Sequence, residues 1–235
     1  MNNSANIWLG ALIAVGLATA GAGIGKGFVD ARKLDRSVEV KGLAEREVTA
    51  DTAIWPLQFV VAGDDLDALV AAIESQRKAV FAFLEARGFA SEEISVSAPS
   101  VLDRLAQPYG DSNVRFRYSV SQVVTVFTNK IDAVRDAGSD LLELGKAGVV
   151  LNQENFEFRT QYLFGGLNAI KPEMIEEATR NGREVAAKFA ADSESQLGKL
   201  RAARQGQFMI EDRDSNNPHI KKVRVVSTLE YYLID

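Results

Sequence analysis

VRFRYSVSQVVTVFT, residues 114–128, decides the fold class. Phe116, Tyr118, Val120, Gln122, Val124 and Val126 fall on one face of an extended chain. A period of two marks a strand with one buried face. The other face carries Arg115, Arg117, Ser119, Ser121 and Thr125, but also Val123 and Phe127. Just downstream, Asn129 is placed to cap a helix over 131–146, with Ile131, Val134, Leu141 and Leu142 inside it and Gly148 behind it. Just upstream, 107–113 holds Pro108 and Gly110 and reads as a loop, and Ile94 to Leu105 reads as a further strand.

Working outward, 51–61 reads as a strand in which Pro56 favours an edge or a bulge. Asp64 and Asp65 can cap a helix reaching about Arg87, with Gly88 as the residue that ends it. Residues 153–164 read as a strand with Phe156, Phe158, Tyr162 and Phe164 alternating. The order over 51–164 is therefore βαββαβ, the ferredoxin-like pattern. A strand over 37–48, a helix from Pro172 in its first turn to about Leu197, and two strands near 200–211 and 221–234 remain. Gly182, in the middle of that helix, suggests a close backbone contact. The expectation is an α+β protein of two lobes. Lobe one is the ferredoxin-like 51–164; lobe two is a small α+β lobe built from both chain ends, 37–50 plus 165–235, with strand 37–49 in the sheet that holds 221–234.

The N-terminus is of another kind. Asn2 to Gly25 carries no charge, and Ile7 to Gly25 as a helix would be about 28 Å long, close to the ~30 Å hydrocarbon core of a bilayer. It reads as an anchor over 1–26 followed by a charged linker over 27–36. Gly21 and Gly25 have the GxxxG spacing of packed membrane helices, as do Gly23 and Gly27. Ala18-Thr19-Ala20 offers a cleavage site, so a cleaved signal is the alternative and a buried soluble helix a further one; the absence of a basic n-region favours the uncleaved anchor. Lys26, Arg32, Lys33 and Arg36 follow the span, and the positive-inside rule would place the large domain in the cytoplasm.

Composition excludes several functions. The 235 residues hold 27 basic and 32 acidic side chains, net −5. Residues 1–36 carry four basic and two acidic residues, so the remainder, 23 against 30, stands at −7. An acidic domain argues against nucleic-acid binding. With no cysteine there is no disulfide, thiol catalysis or thiolate metal site, and the single His219 excludes a multi-histidine site within one chain. Gly21-Ala22-Gly23-Ile24-Gly25-Lys26 lacks the preceding strand and following Ser or Thr of a phosphate loop. Asp212, Asp214 and Asn216 occupy the first, third and fifth positions of a calcium loop, but Asn217 and Val223 stand where Gly and Glu belong, so a solvated turn is the reading. Adjacent pairs such as Glu92/Glu93 and Glu176/Glu177 do not face one another on a helix and specify no acid/base dyad. No catalytic, cofactor-binding or metal-ligating residue is therefore assigned. Trp55 reads as core or as a partner anchor. The aromatic series 156–164 reads as core or subunit interface, since no basic face accompanies it.

Val38-Glu39-Val40-Lys41-Gly42 with Ala44-Glu45-Arg46-Glu47-Val48, then Ala50-Asp51-Thr52-Ala53-Ile54-Trp55-Pro56-Leu57, Gly88-Phe89 with Glu92-Glu93-Ile94, 118–126, and Glu177-Ala178 through Leu197-Gly198-Lys199 follow one another in a recognisable order and spacing. In these segments the chain resembles the SIMPL-domain family, in its membrane-anchored proteobacterial branch. The resemblance covers about 37–235. It implies a bacterial, extracytoplasmic location, ring-like oligomers in some members and a loose association with envelope or oxidative stress; it implies no catalytic residues. The implied location outweighs the basic flank, which is a bias only, and puts the soluble domain in the periplasm on a single inner-membrane pass, or free there after signal cleavage.

The expected function is a non-enzymatic, self-associating envelope protein. Val226, Tyr232 and Ile234, on the second face of 221–234, and Trp55 are the expected oligomer or partner contacts, because a one-sided sheet would be polar there. An envelope module binding a protein or small ligand through the Trp55 region or the 106–113 loop is the alternative, and a carboxylate hydrolase a remote one.

Overall fold

Tyr118–Thr128 is the strand around which the larger sheet is built, and its alternation sets which neighbours it takes. Its buried positions, Val120, Gln122, Val124 and Val126, stand opposite Val61, Phe59, Leu57 and Trp55 of a partner strand, so one largely apolar face is made from two strands in register. The structure is a computed structural model; it describes residues 3–33, 36–107, 115–152 and 156–234, with the side chains of the first helix described over 12–27. In chain order the elements are α1 (Asn3–Lys33), β1 (Ser37–Thr49), β2 (Thr52–Gly63), α2 (Leu66–Ala86), β3 (Ile94–Val96), β4 (Ser100–Asp103), β5 (Tyr118–Thr128), α3 (Ile131–Ser139), α4 (Leu142–Lys146), β6 (Gln161–Leu163), α5 (Leu167–Asp192), β7 (Gln196–Gln205), β8 (Met209–Asp212) and β9 (Ile220–Ile234). The protein is a mixed α+β fold with two sheets, ordered β1-β9-β7 with β8 beside β9, and β3-β5-β2-β6 with β4 beside β5. The chain gathers into two compact units, one of residues 1–46, 170–209 and 224–235, the other of 47–169 and 210–223.

In the second unit β5 pairs antiparallel with β2 on one side and with β3 and β4 on the other, and β2 pairs antiparallel with β6. The buried face of this sheet, with Trp55, Phe59, Val124 and Val126, packs with Ile73, Val80 and Leu84 of α2 and with Val134 of α3. Asp65 caps α2, accepting from Asp67 N at 3.0 Å and Ala68 N at 3.2 Å, and Gly88 leaves it at φ 81.

Several boundaries differ from the sequence expectation. The strand foreseen over 94–105 is two pieces, β3 and β4, separated by Ser97-Ala98-Pro99, because Pro99 has no N–H for the ladder. The strand foreseen from 114 runs from Tyr118; Val114 and the loop at 108–113 lie outside the described residues. The helix foreseen over 131–146 breaks at Asp140-Leu141, where Asp140 N turns back to Ala137 O at 3.1 Å. The aromatic strand foreseen over 153–164 is not a strand until Gln161: Phe156–Phe158 is a turn of 3₁₀ helix, and 153–155 lie outside the described residues.

In the first unit α5 lies on β1 and β9. Val40, Ala186, Leu229 and Tyr231 form its buried cluster, with Val38 and Leu197 against it. The helix begins five residues before Pro172, which is therefore inside it rather than in its first turn, and it ends at Asp192 rather than near 197. Glu194 sits at φ 55 and turns the chain out, while Ser195 N bonds Ala190 O at 2.9 Å. β7 follows β9 through two register shifts, near Gly198 and Leu200.

α1 continues to Lys33, so most of the expected linker is helical. All its described side chains, 12–27, are exposed, among them Leu12, Leu17 and Ile24. Among the described residues no helix is long and apolar enough to cross a membrane. The side chains of Ile7 to Ala11, the first part of the apolar run, lie outside that description.

Candidate functional site

Pro56 is the reason the second unit has a cleft. β2 bonds β6 only over Thr52–Ile54. Further along, Asn152 N donates to Gln58 O at 2.8 Å and Val60 N to Val150 O at 3.2 Å, so a second stretch of chain rejoins the same flank. Between these contacts lie Trp55, Pro56 and Leu57. Pro56 has no N–H to offer, so a continuous ladder on that flank would lack a donor at its middle. The chain from Phe156 to Thr160 bows away instead, and a cleft of about 600 Å³ opens there.

Other segments of the same unit close the cleft. α3 contributes Val134, Arg135 and Asp136; the bowed chain contributes Phe158, Arg159 and Thr160; the turn before β9 contributes Ser215, Asn216 and His219. Ala50 N donates to His219 O at 2.8 Å, which pins that turn. The Asp51 carboxylate accepts from Gly165 N at 2.7 Å and Gly166 N at 3.0 Å, fixing the chain as it leaves β6. His219 is buried and meets Tyr162 edge-on, ring centroids 6.0 Å apart. Burial pushes the imidazole below its ordinary value, and Arg135 and Arg213 push it further. Burial raises the Tyr162 phenol, with Arg135 acting against it. Both groups are neutral at neutral pH.

The turn that carries His219 uses up its own carboxylates. Asp214 accepts from Arg213 Nε and from the N–H groups of Asn216 and Asn217, each at 2.9 Å, and Arg213 first, then Asn217, hold it at about 2. Asp212 is ion-paired with Lys221. The calcium-loop spacing thus describes a tied turn, and among the described residues no three metal-capable side chains come together. Among the described residues lining the cleft the single carboxylate is Asp136, so a two-carboxylate hydrolase finds no pair there.

The other residues singled out from the sequence fall in different places. Trp55 is 3% exposed, with its ring 6.0 Å from that of Phe89; it belongs to the core and borders the cleft, and it is not an exposed anchor. Val226 is partly buried, while Tyr232 and Ile234, on the same outward face of β9, are 36% and 54% exposed. Gly21 and Gly25 have open space around them. Phe156 is exposed and Tyr162 buried, so the aromatic series does not share a face.

Two features escaped the reading of the sequence. Glu93, which the sequence gives only as one of an adjacent pair, accepts from Lys130 Nζ at 2.7 Å, Thr128 Oγ1 at 2.5 Å and Ala90 N at 2.8 Å. The cleft itself escaped too; its signal was a proline within an otherwise regular strand. A family model named SIMPL, described as a protein of unknown function (DUF541), matches residues 38–226. No curated protein matches the chain.

Proposed function

The chain belongs to the SIMPL family, a family of unknown function, and from that premise we propose that it is a membrane-anchored envelope protein whose folded part self-associates. The observation that carries self-association is the outward face of β9 and β7. Tyr232, Ile234 and Leu200 stand exposed on it, beside a Gly198 whose added Cβ would lie 3.2 Å from Ile234 Cδ1. Clustered apolar surface of this kind is usually covered by a partner. A second copy is the occupant favoured by charge. The open β7 edge carries Lys199, Arg201 and Arg204, and the open β1 edge carries Glu39, Glu45 and Glu47 against Lys41 and Arg46, an excess of one negative charge. Edges of opposite sign suit a head-to-tail contact, which closes into a ring or grows into a fibre.

The anchor is supported by the apolar run from Ile7 to Gly25 and by the exposed side chains of α1. A single inner-membrane pass with the folded part in the periplasm, and a link to envelope or oxidative stress, rest on the family resemblance. A division into a ferredoxin-like lobe and a lobe of both chain ends fits the sheet order β3-β5-β2-β6 and the pairing of β1 beside β9.

Detergent-corrected light scattering on the full chain tests self-association. The wild type should be an oligomer at tens of micromolar concentration. Ile234→Asp should reduce it to a monomer while its melting temperature holds, since Ile234 is more than half exposed. A monomeric wild type sinks the proposal. So does an Ile234→Asp oligomer of unchanged size.

A further inference from the structure

We propose that the cleft beside Pro56 binds a small organic oxyanion, a carboxylate or phosphate carried on a compact apolar body. Its volume of about 600 Å³ lies inside the roughly 300–1,000 Å³ range of small-molecule sites. Trp55, Leu57, Val134 and Leu151 give it apolar lining. Of the polar groups around them, Asn152 and Ser139 spend donors on Gln58 Oε1 and Arg135 O, while the two arginines keep donors to spare. Arg159 pairs with no carboxylate among the described residues; its guanidinium lies 4.8 Å from the Phe156 ring centroid. The one carboxylate that Arg135 pairs with among the described residues is the exposed Asp132, at 3.3 Å and one turn away on its own helix, a kind of pair worth little. The Tyr162 hydroxyl and the His219 ring make no hydrogen bond within the protein among the described residues.

Among the described residues of the lining, two guanidiniums stand against the single carboxylate of Asp136, one positive charge in excess. A cation would meet both arginines, and a wholly apolar ligand would strip water from them without return. A planar guanidinium offers two parallel N–H groups that match the two oxygens of a carboxylate or phosphate. The apolar lining then covers the remainder of the molecule and gives selectivity over a bare inorganic ion.

Phenyl phosphate and benzoate are the probes, titrated into the detergent-solubilised full chain, with inorganic phosphate for comparison. Calorimetry reads affinity, and emission of Trp55 in a Trp8→Phe background reads location. At least one probe should bind at one site with submillimolar affinity and change that emission, and the tighter of the two identifies the headgroup. Arg159→Gln and Arg135→Gln should each weaken it by roughly tenfold or more. Arg159→Lys, which keeps the charge and loses the fork, should fall between. Arg183→Gln, on α5, should leave binding unchanged. Both cleft arginines are exposed, so their truncation leaves the core intact, and an unchanged melting temperature checks this. The proposal is overturned by absence of saturable binding up to millimolar probe, by binding that survives both glutamine variants, or by inorganic phosphate binding as tightly as the aromatic probes.

Discussion

Glu93 shows how much a single side chain can organise. Its carboxylate joins the end of α2, the start of β3 and the β5–α3 junction, because Lys130 Nζ also donates to Gly88 O at 2.8 Å. Lys130 first, then Thr128, hold its pKa at about 2, against an ordinary value of 4.5. A carboxyl group whose folded pKa is depressed adds stability that is complete above the unfolded value and fades as pH falls through the folded one. Glu93→Gln should cost about 1–3 kcal/mol at pH 7. In denaturant titrations the gap between variant and wild type should narrow from about pH 4.5 towards 2. A gap that stays constant over that range would show that packing, not charge, fixes Glu93. Nothing in the sequence around Glu92-Glu93 distinguishes the two: Lys130 lies 37 positions away, and the contact exists only once β3 is paired with β5.

At the scale of elements, α5 meets β1 backbone to backbone. A Cβ on Gly42 would lie 1.8 Å from Ala178 O, and one on Gly182 would lie 2.7 Å from Leu229 Cδ1 and 3.2 Å from Gly42 N. Asn181 Nδ2 completes the contact by donating to Leu43 O at 2.8 Å. Two effects oppose each other in Gly182→Ala. Helix propensity favours alanine by about 1 kcal/mol. Overpacking a fitted contact costs about 1–3 kcal/mol or more. The contact should win, and the melting temperature should fall. Gly42→Ala should be worse, because its clash is with backbone that cannot rotate away; chemical denaturation that ranks the two the other way would refute this geometry. Gly182 was legible in the sequence because a glycine inside an otherwise good helix needs a reason. Gly42 was not, since one glycine in an alternating strand carries no period of its own. The aromatic run 156–164 misled for a related reason. Its spacing suits a strand, but the strand it would pair with has Pro56 opposite, and the pairing stops where the donor is missing.

At the scale of the whole molecule, the α+β class and most helices were legible from periodicity, while the two units were harder to read because each draws on distant parts of the chain. The apolar helix leads to a plain test. The full chain expressed in a Gram-negative host should sediment with membranes, resist alkaline carbonate and dissolve in detergent. Release by carbonate alone rejects the anchor, and a purified N-terminus at Gly21 or later identifies a cleaved signal. The buried cluster of the first unit has a consequence for synthesis. Val40 is covered by Leu229 and Tyr231, about 190 residues later in the chain. At about 5–20 residues per second the ribosome needs roughly 10–40 s to supply them. For that interval β1 is thirteen residues long and lacks its partner. The charges of Glu39, Lys41 and Glu45, which alternate with its apolar positions and are interrupted on that face by Leu43 alone, then act as gatekeepers that keep a waiting strand from pairing with another nascent chain.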